Sequence, residues 1–382
     1  GIEAGPVGTR GMCVLHTPGK RWEADDFELV ETQFTDNSIR LVWSVVNLSL
    51  LWESHWNFSS QTGVWSRKDC LRNVGNQPVV ITRCLARFGF APGKYSIYTQ
   101  RSNWSYENQL NRCEAHHGSL VVRSQGGRTT QGGTPYLCLT DEENHRGVSF
   151  HILPVGNWVI YIDQSYTLFG HSQPYIVIEL GLSDETLYKL LNPGDVVQLP
   201  EILIQPIPQG KPEYGASNLH RYLIENKFQS NRQFPPLVYN TWFDAFEYLE
   251  VERLRSQLRA AKELGCEVFT IDAGWYGDGE GAWDRQVGDW REKTTAAFYG
   301  KMADFAEEVR TTGLGFGLWI EPERNHAVAP SVKAHPEWFL PGANGFFYPN
   351  LALEGAYRDV SVIQRCIWKA APAEGCARIF IR

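Results

Sequence analysis

The stretch from Leu237 to Arg382 alternates between short apolar runs and amphipathic segments, and this alternation constrains the fold more than any other feature of the sequence. Short apolar runs are typical of strands in a parallel sheet, and amphipathic segments between them are typical of crossover helices. The predicted strands are Leu237–Asn240, Glu267–Ile271, Leu314–Ile320 and Ala377–Ile381, and the predicted helices are Tyr248–Leu264, Phe298–Thr312 and Gly355–Ala370. The wide strand spacing and the long segments after the strands favour a (β/α)8 TIM barrel. Residues 237–382 would supply its first half, four strands of eight.

Residues 1–205 follow a different pattern, with short runs rich in β-branched and aromatic side chains between clusters of Gly, Pro, Asn and Asp. Arg40–Val46, Pro78–Leu85 and Pro174–Leu180 are such runs. Many short strands separated by turn signals are typical of a β-sandwich. Residues 206–236 form a predicted helical linker. The predicted fold class is therefore multidomain β plus α/β, an N-terminal β-sandwich followed by the first half of a TIM barrel.

Composition excludes several classes of function. A formal net charge of −7 over 382 residues gives no basic surface for nucleic acid. No apolar run approaches the roughly 20 residues of a membrane helix. The eight cysteines contain no CxxC pair and the histidines have no paired spacing, so no metal site is predicted. Scattered cysteines and the lack of a signal-peptide pattern incline the interpretation toward a cytoplasmic location.

Acidic and aromatic residues follow the predicted strands of the second region. In a TIM barrel, the residues at the C-terminal ends of the strands meet on one rim, where the active site lies. Carboxylates accept hydrogen bonds from hydroxyl groups and indole rings offer an apolar face, so this combination suits a pyranose sugar. The predicted substrate-binding residues are Asp272, Trp275, Trp319, Trp242, Asp289 and Trp290.

Five segments carry a resemblance to a known family, and their order and spacing agree from about Leu237 to Arg382. They are Asn240-Thr241-Trp242, Thr270-Ile271-Asp272-Ala273-Gly274-Trp275-Tyr276-Gly277, Val287-Gly288-Asp289-Trp290, Gly317-Leu318-Trp319-Ile320-Glu321-Pro322-Glu323 and His335-Pro336-Glu337-Trp338-Phe339-Leu340. Together they resemble the α-galactosidases of glycoside hydrolase family 36, the melibiase type.

The resemblance implies a retaining glycosidase that releases terminal α-linked galactose through a covalent glycosyl-enzyme, without a cofactor. It implies that Asp272 holds sugar hydroxyls and that Trp319 lines the sugar pocket, with Glu321 and Glu323 as supporting residues. The expected partner is an α-galactoside or related oligosaccharide, and an oligomer is possible for the full-length protein.

Two departures from the family pattern affect this expectation. The family has a second acid where this sequence has Ala273, so sugar choice could differ, and N-acetylgalactosamine or another α-linked sugar stays open. The family's nucleophile follows the fourth strand, and its acid/base lies later still, so both would lie beyond Arg382. We therefore expect this 382-residue chain to be a fragment without hydrolytic turnover.

Other interpretations of the same residues remain. Asp272 could cap a helix, the Trp residues could be core aromatics, and Asp289 could pack its own loop. At the level of function, the alternatives are a sugar-binding protein without catalysis and a barrel enzyme of another class, such as an isomerase, which would need a metal or phosphate site.

Overall fold

The computed structural model describes residues 11–103, 105–115, 118–125, 130–165, 175–228, 235–369 and 380–381. The chain divides into two compact units, Gly1–Gln229 and Ser230–Arg382. The division lies inside the predicted linker. Part of that linker (229–234), the start of the predicted fourth strand (377–379) and Arg382 lie outside the described residues.

Unit 1 is built from antiparallel strands, as its short runs of β-branched and aromatic residues between turn signals predict. Its described strands are β1 (Cys13–Thr17), β2 (Lys20–Glu23), β3 (Phe27–Phe34), β4 (Ser38–Val45), β5 (Leu50–Ser59), β6 (Val64–Asn73), β7 (Val79–Ile81), β8 (Arg83–Phe90), β9 (Tyr95–Asn103), β10 (Tyr106–Glu114), β11 (Gly118–Ser124), β12 (Tyr136–Asp141), β13 (Arg146–Leu153), β14 (Trp158–Ser165), β15 (Tyr175–Leu182), β16 (Lys189–Leu191), β17 (Val196–Gln198) and β18 (Glu201–Ile207). The helix α1 (Ala216–Asn226) follows them. The run predicted at Pro78–Leu85 is two strands, β7 and the start of β8, which pair with different neighbours.

Two large sheets form the sandwich. One has the strand order β11-β14-β15-β8-β1-β2, and the other has the order β10-β9-β12-β13-β18-β6-β5-β4-β3 with β17 added beside β6. Their facing sides share one core. Ile178 of the first sheet is packed in the same buried cluster as Ile97 and Phe150 of the second. Burial of these inner faces stabilises the sandwich by roughly 25 cal/mol per Å² of apolar surface.

Unit 2 alternates strands and helices. Its described elements are β19 (Val238–Asn240), α2 (Trp242–Ala245), α3 (Val251–Glu263), β20 (Val268–Ile271), α4 (Met302–Thr311), β21 (Gly315–Ile320), β22 (Asn325–His326), α5 (Pro330–Ala334), β23 (Phe339–Pro341), β24 (Phe346–Pro349), α6 (Glu354–Lys369) and β25 (Phe380–Ile381). The strands β19, β20, β21 and β25 form a parallel sheet in chain order. The predicted fold class is confirmed, a β-sandwich followed by a partial barrel.

The helices of unit 2 cover the parallel sheet with one apolar face each. Leu254 and Leu258 of α3 are buried with Phe305 and Val309 of α4 around Phe269 of β20. A small antiparallel sheet, β22-β24-β23, follows β21 and is not predicted by the sequence pattern. Its strands have two to four residues, which is too short for an alternation to be recognised.

Candidate functional site

The parallel register brings Asn240, Thr241 and Asp272 to one edge of the sheet of unit 2. Asn240 is opposite Thr270, and Asp272 is the second residue after Thr270. The Thr241 N–H donates to the Thr270 carbonyl at 3.1 Å, and the Asp272 N–H donates to Thr241 Oγ1 at 3.0 Å. These bonds continue the pairing past the strand ends and fix the backbone that carries the Asp272 side chain.

The Asp272 carboxylate is partly buried and is oriented by two donors. Its Oδ2 accepts from Asn240 Nδ2 at 2.7 Å, and its Oδ1 accepts from the Ala273 N–H at 2.8 Å. Asn240 Oδ1 accepts from the Trp242 N–H at 2.8 Å, which fixes the direction of the amide. A carboxylate oxygen accepts more than one hydrogen bond, so Asp272 can still accept from ligand hydroxyls.

Six rings from β21, from α2 and from the loop after β20 form one connected aromatic cluster. Its members are Trp242, Trp275, Tyr276, Trp283, Trp290 and Trp319. Trp283 joins two of the predicted residues, because its ring centroid lies 5.5 Å from that of Trp242 and 5.5 Å from that of Trp319. The structure therefore brings all four predicted tryptophans together.

The rings of the aromatic cluster differ in exposure. Trp275 is 4% exposed and Trp319 is 8% exposed, and Trp275 Nε1 donates to the Trp319 carbonyl at 3.0 Å. These two residues mainly pack against their neighbours and support the others. Trp242, Trp283 and Trp290 are partly exposed, so their rings have surface left for a ligand.

Two buried donors in the aromatic cluster, the Tyr276 hydroxyl and Trp290 Nε1, have no hydrogen-bond partner among the described residues. Burial raises the pKa of Tyr276, and the nearby Glu321 carboxylate raises it further, so the hydroxyl keeps its proton. A buried donor without a partner costs about 1–3 kcal/mol. A water molecule or a ligand oxygen could accept from each of these donors.

Asp289 forms an ion pair within its own loop. It is buried, and its two oxygens accept from Arg291 Nε at 2.6 Å and from an Arg291 terminal nitrogen at 2.7 Å. This ion pair helps to hold the loop that carries Trp290. Each oxygen can accept a further hydrogen bond, as in Asp272, so the contact of Asp289 with a sugar stays a prediction.

The two acids after β21 also differ. Glu321 Oε2 accepts from Arg324 at 2.6 and 3.0 Å, and the Arg324 guanidinium lies over the rings of Trp283 and Phe346 at 5.5 and 4.7 Å from their centroids. Glu321 therefore links β21 to the aromatic cluster through Arg324, whereas Glu323 is exposed.

The backbone of the loop after β20 requires a glycine at position 274. Its φ of +102° is a conformation that L side chains rarely adopt, and a Cβ there would lie 2.4 Å from the Glu247 carbonyl oxygen. Glu247 in turn accepts from the Trp283 N–H at 2.6 Å. The close approach at Gly274 thus positions both Trp275 and Trp283.

Four residues at this edge were not among the predicted site residues. Asn240 and Thr241 precede Trp242 in a segment that the sequence already singles out, and Tyr276 follows Trp275 in another. Trp283 has no signal of its own, because it lies in mid-loop far from any strand end. Among the described residues, no group of three or more His, Cys, Asp and Glu side chains is placed to hold a metal ion. None of the helices in the described part of the chain is long and apolar enough to cross a membrane.

A protein-family model and known sequences that match this chain agree with each other. Residues 211–347 match the family model described as Melibiase. The chain is 24% identical over 278 residues to alpha-galactosidase Mel36A of Lactobacillus acidophilus, covering 71% of this chain and 37% of that protein. It is 26% identical over 289 residues to alpha-galactosidase AgaA of Geobacillus stearothermophilus, covering 72% of this chain and 38% of that protein. The chain thus spans well under half the length of these relatives.

Solved structures share the fold. The crystal structure of the alpha-galactosidase AgaA from Geobacillus stearothermophilus matches with a TM-score of 0.82 at 19% identity, covering 94% of this chain and 54% of that one. A variant of the same enzyme, solved in complex with stachyose, matches with a TM-score of 0.79 at 20% identity, with the same coverage.

Proposed function

Since the chain belongs to the α-galactosidases of glycoside hydrolase family 36, we propose that the edge around Asp272 binds a terminal α-linked galactose and that the whole protein hydrolyses α-galactosides. Eight relatives that share 22–27% identity with this chain have alpha-galactosidase in their names, one of them as a bifunctional alpha-galactosidase/sucrose kinase. Their names concern proteins much longer than this chain. The activity of the whole protein is therefore a proposal.

The oriented Asp272 carboxylate is the observation that carries the proposal. It is fixed by Asn240 and by the Ala273 N–H, and its remaining lone pairs are free for hydroxyl groups. The partly exposed indoles of Trp242, Trp283 and Trp290 offer apolar faces for a sugar ring. Preorganised acceptors beside aromatic surface are typical of small-molecule sites that recognise hydroxyl-rich ligands.

Retaining hydrolysis requires two further carboxyl groups about 5 Å apart, one to attack the anomeric carbon and one to protonate the leaving oxygen. The resemblance implies that these two groups follow the fourth strand of the barrel. The residues present here would bind and orient the sugar. Asp272 would hold its hydroxyl groups, and other carboxyl groups would cleave the glycosidic bond. We infer that the 382-residue chain binds sugar without turnover.

A binding titration of the 382-residue chain tests the proposal. Methyl α-D-galactopyranoside should bind, and Asp272→Ala should weaken binding at least about tenfold, which corresponds to 1.4 kcal/mol, because charge-assisted hydrogen bonds contribute that much or more. Asp272→Asn keeps the shape and should lose less. Glu263→Gln, an exposed acid at the end of α3, is the control and should bind like the parent.

Equal binding by the parent and the Asp272→Ala variant would contradict the assignment of Asp272. The same samples should release no p-nitrophenol from p-nitrophenyl α-galactoside. Release by the 382-residue chain would show that its own residues complete the catalytic machinery.

Ala273 supports a second candidate, α-N-acetylgalactosaminidase or another α-glycosidase of the family. The residue is fully buried among apolar neighbours, so this position offers no carboxylate to a sugar hydroxyl. A site that lacks an acceptor discriminates less strongly between sugars that differ at one substituent. Including N-acetylgalactosamine in the titration separates the candidates, since tighter binding of that sugar than of galactose would favour the second.

A further inference from the structure

A separate cavity of about 500 Å³ lies entirely within unit 1. Its floor is the face of the larger sheet that points away from the sandwich core. Tyr136, Ser149 and His151 line it, whereas their chain neighbours Leu137 and Phe150 point into the core. A volume of 300–1,000 Å³ is usual for small-molecule sites.

The strand register arranges the floor into two adjacent rows. Tyr98, Cys138, Ser149 and Gln205 are directly opposite one another across β9, β12, β13 and β18. In the next row, Tyr136 is opposite His151, with ring centroids 6.2 Å apart. Aromatic and polar side chains thus stand side by side on a rigid sheet rather than on loops.

The wall of the cavity is the segment from Gly210 to His220, which includes the first turn of α1. The helix is anchored on the sheet, because Tyr222 is buried against Val64 and Leu203 of the sheet and Leu219 of its own helix. Packing on the sheet therefore holds the wall at a fixed distance from the floor.

Two buried polar atoms in this region have no hydrogen-bond partner among the described residues: His151 Nδ1, on a residue that lines the cavity, and Gln205 Oε1, on a buried residue next to the lining. Gln205 Oε1 lies 3.4 Å from the position that a Cβ would take on Gly215, a residue of the wall. Buried polar groups are normally hydrogen-bonded, and leaving them without partners costs about 1–3 kcal/mol each. A ligand hydroxyl group in the cavity would supply a partner for His151.

The charge of the lining indicates a neutral ligand. Burial lowers the pKa of His151, and the nearby His220 lowers it further, so His151 is uncharged at neutral pH. The wall carries one cation, Lys211, and one anion, Glu213. This balance offers nothing selective for a phosphate or a carboxylate, while the rings of Tyr98 and Tyr136 offer apolar faces.

We propose that this cavity is a second binding site of the protein, for a neutral pyranose sugar, independent of the edge around Asp272. The aromatic faces contact the ring carbons of the sugar. His151 and Ser149, which line the cavity, exchange hydrogen bonds with its hydroxyl groups. The site requires no residue of unit 2, so it stands whether or not the proposed function of that unit is correct.

The test uses the 382-residue chain with Asp272→Ala, so that binding at the first site is weakened at least about tenfold. Methyl α-D-galactopyranoside and methyl α-D-glucopyranoside are titrated by saturation-transfer NMR and calorimetry. Ala216→Trp places a large ring from the exposed wall residue Ala216 into the cavity and should weaken binding at least about tenfold. Ser217→Trp, on the next exposed residue outside the lining, is the matched control and should bind like the Asp272→Ala parent.

A second readout does not depend on the blocking variant. The ring resonances of His151, assigned with His151→Gln, should shift on addition of sugar, because His151 lines the cavity. Three results would overturn the proposal: no sugar binding by the Asp272→Ala chain, equal loss in both tryptophan variants, or unshifted His151 resonances at saturation. Tighter binding of galactose 6-phosphate than of the neutral sugars would overturn the assignment of a neutral ligand.

Discussion

Asp272 and Gly274 are two residues apart in the loop after β20, and the loop depends on both. Asp272 presents charge at the sheet edge, and Gly274 permits the backbone path that brings the following indole into the aromatic cluster. A Cβ at Gly274 would meet the Glu247 carbonyl, which is backbone and cannot rotate away. The position of the indole beside Asp272 thus depends on the absence of a side chain at Gly274.

Gly274→Ala should therefore destabilise unit 2 by about 3 kcal/mol or more, since it combines a disfavoured φ with a backbone clash. Gly265→Ala separates the two effects, because Gly265 also has a positive φ of +79° but nothing lies within 4 Å of its Cβ position. That control should cost only about 1–2 kcal/mol. Urea unfolding of both variants gives the comparison, and equal losses would show that the contact with Glu247 is unimportant.

At the residue scale, the sequence was informative where chemistry and a strand end coincide. Asp272, Trp275 and Trp319 could be predicted as neighbours because parallel strands end at one edge. Their degree of burial could not be predicted, since it depends on rings contributed by distant loops, Trp283 above all. The partner of Asp289 also escaped prediction, although Arg291 is only two residues away, because an acid–arginine spacing of two does not reveal which side chain faces the other.

At the scale of elements, the two ends of the long loop between β20 and α4 are joined by backbone hydrogen bonds, such as that from the Lys293 N–H to the Trp275 carbonyl at 2.8 Å, and by one exposed acid, Asp278. Asp278 accepts from the N–H and hydroxyl groups of both Thr294 and Thr295 at 2.7 to 3.1 Å. These hydrogen bonds, first of all the one from the Thr294 hydroxyl, lower the pKa of Asp278 to about 2 from an ordinary value of 3.8. They join the two ends of the segment that carries Trp283 and Trp290.

The contribution of Asp278 should depend on pH in a defined direction. Its folded pKa lies below the unfolded value, so its stabilisation is complete above about pH 4 and is lost as the pH falls toward 2. Asp278→Asn should speed hydrogen exchange of the Thr294 and Thr295 amides at pH 6, with no further acceleration on acidification. Glu280→Gln, another exposed acid of the same loop, is the control. Unchanged exchange in Asp278→Asn would mean that the loop is held elsewhere.

Element boundaries show the limits of periodicity. The helix predicted at Tyr248–Leu264 begins at Val251, because Tyr248 belongs to the loop that places Glu247 against Trp283. The sheet β22-β24-β23 was absent from the prediction, although the segment at His335–Leu340 was part of the family resemblance. A motif can thus identify a relative without revealing the element that it forms, since strands this short are specified by tertiary contacts.

At the scale of the whole molecule, the two units have different sources of stability. Unit 1 places two antiparallel sheets over a continuous core that is made from its own residues. Unit 2 has a sheet of four parallel strands, and its helices each bury one apolar face against that sheet. Antiparallel sandwiches fold as independent domains, whereas parallel sheets are normally buried on both faces.

We therefore expect unit 1 to fold without unit 2. A protein of residues 1–229 should unfold in one cooperative thermal transition with the far-ultraviolet circular dichroism of a β-protein, because its core clusters contain no residue of unit 2. The 382-residue chain should show the same transition together with one from unit 2. Gly274→Ala provides the internal control, since it should lower the midpoint of the second transition and leave the first unchanged. Unfolding of the 1–229 protein without cooperativity would contradict this expectation. It would show that the sandwich needs unit 2 for its stability.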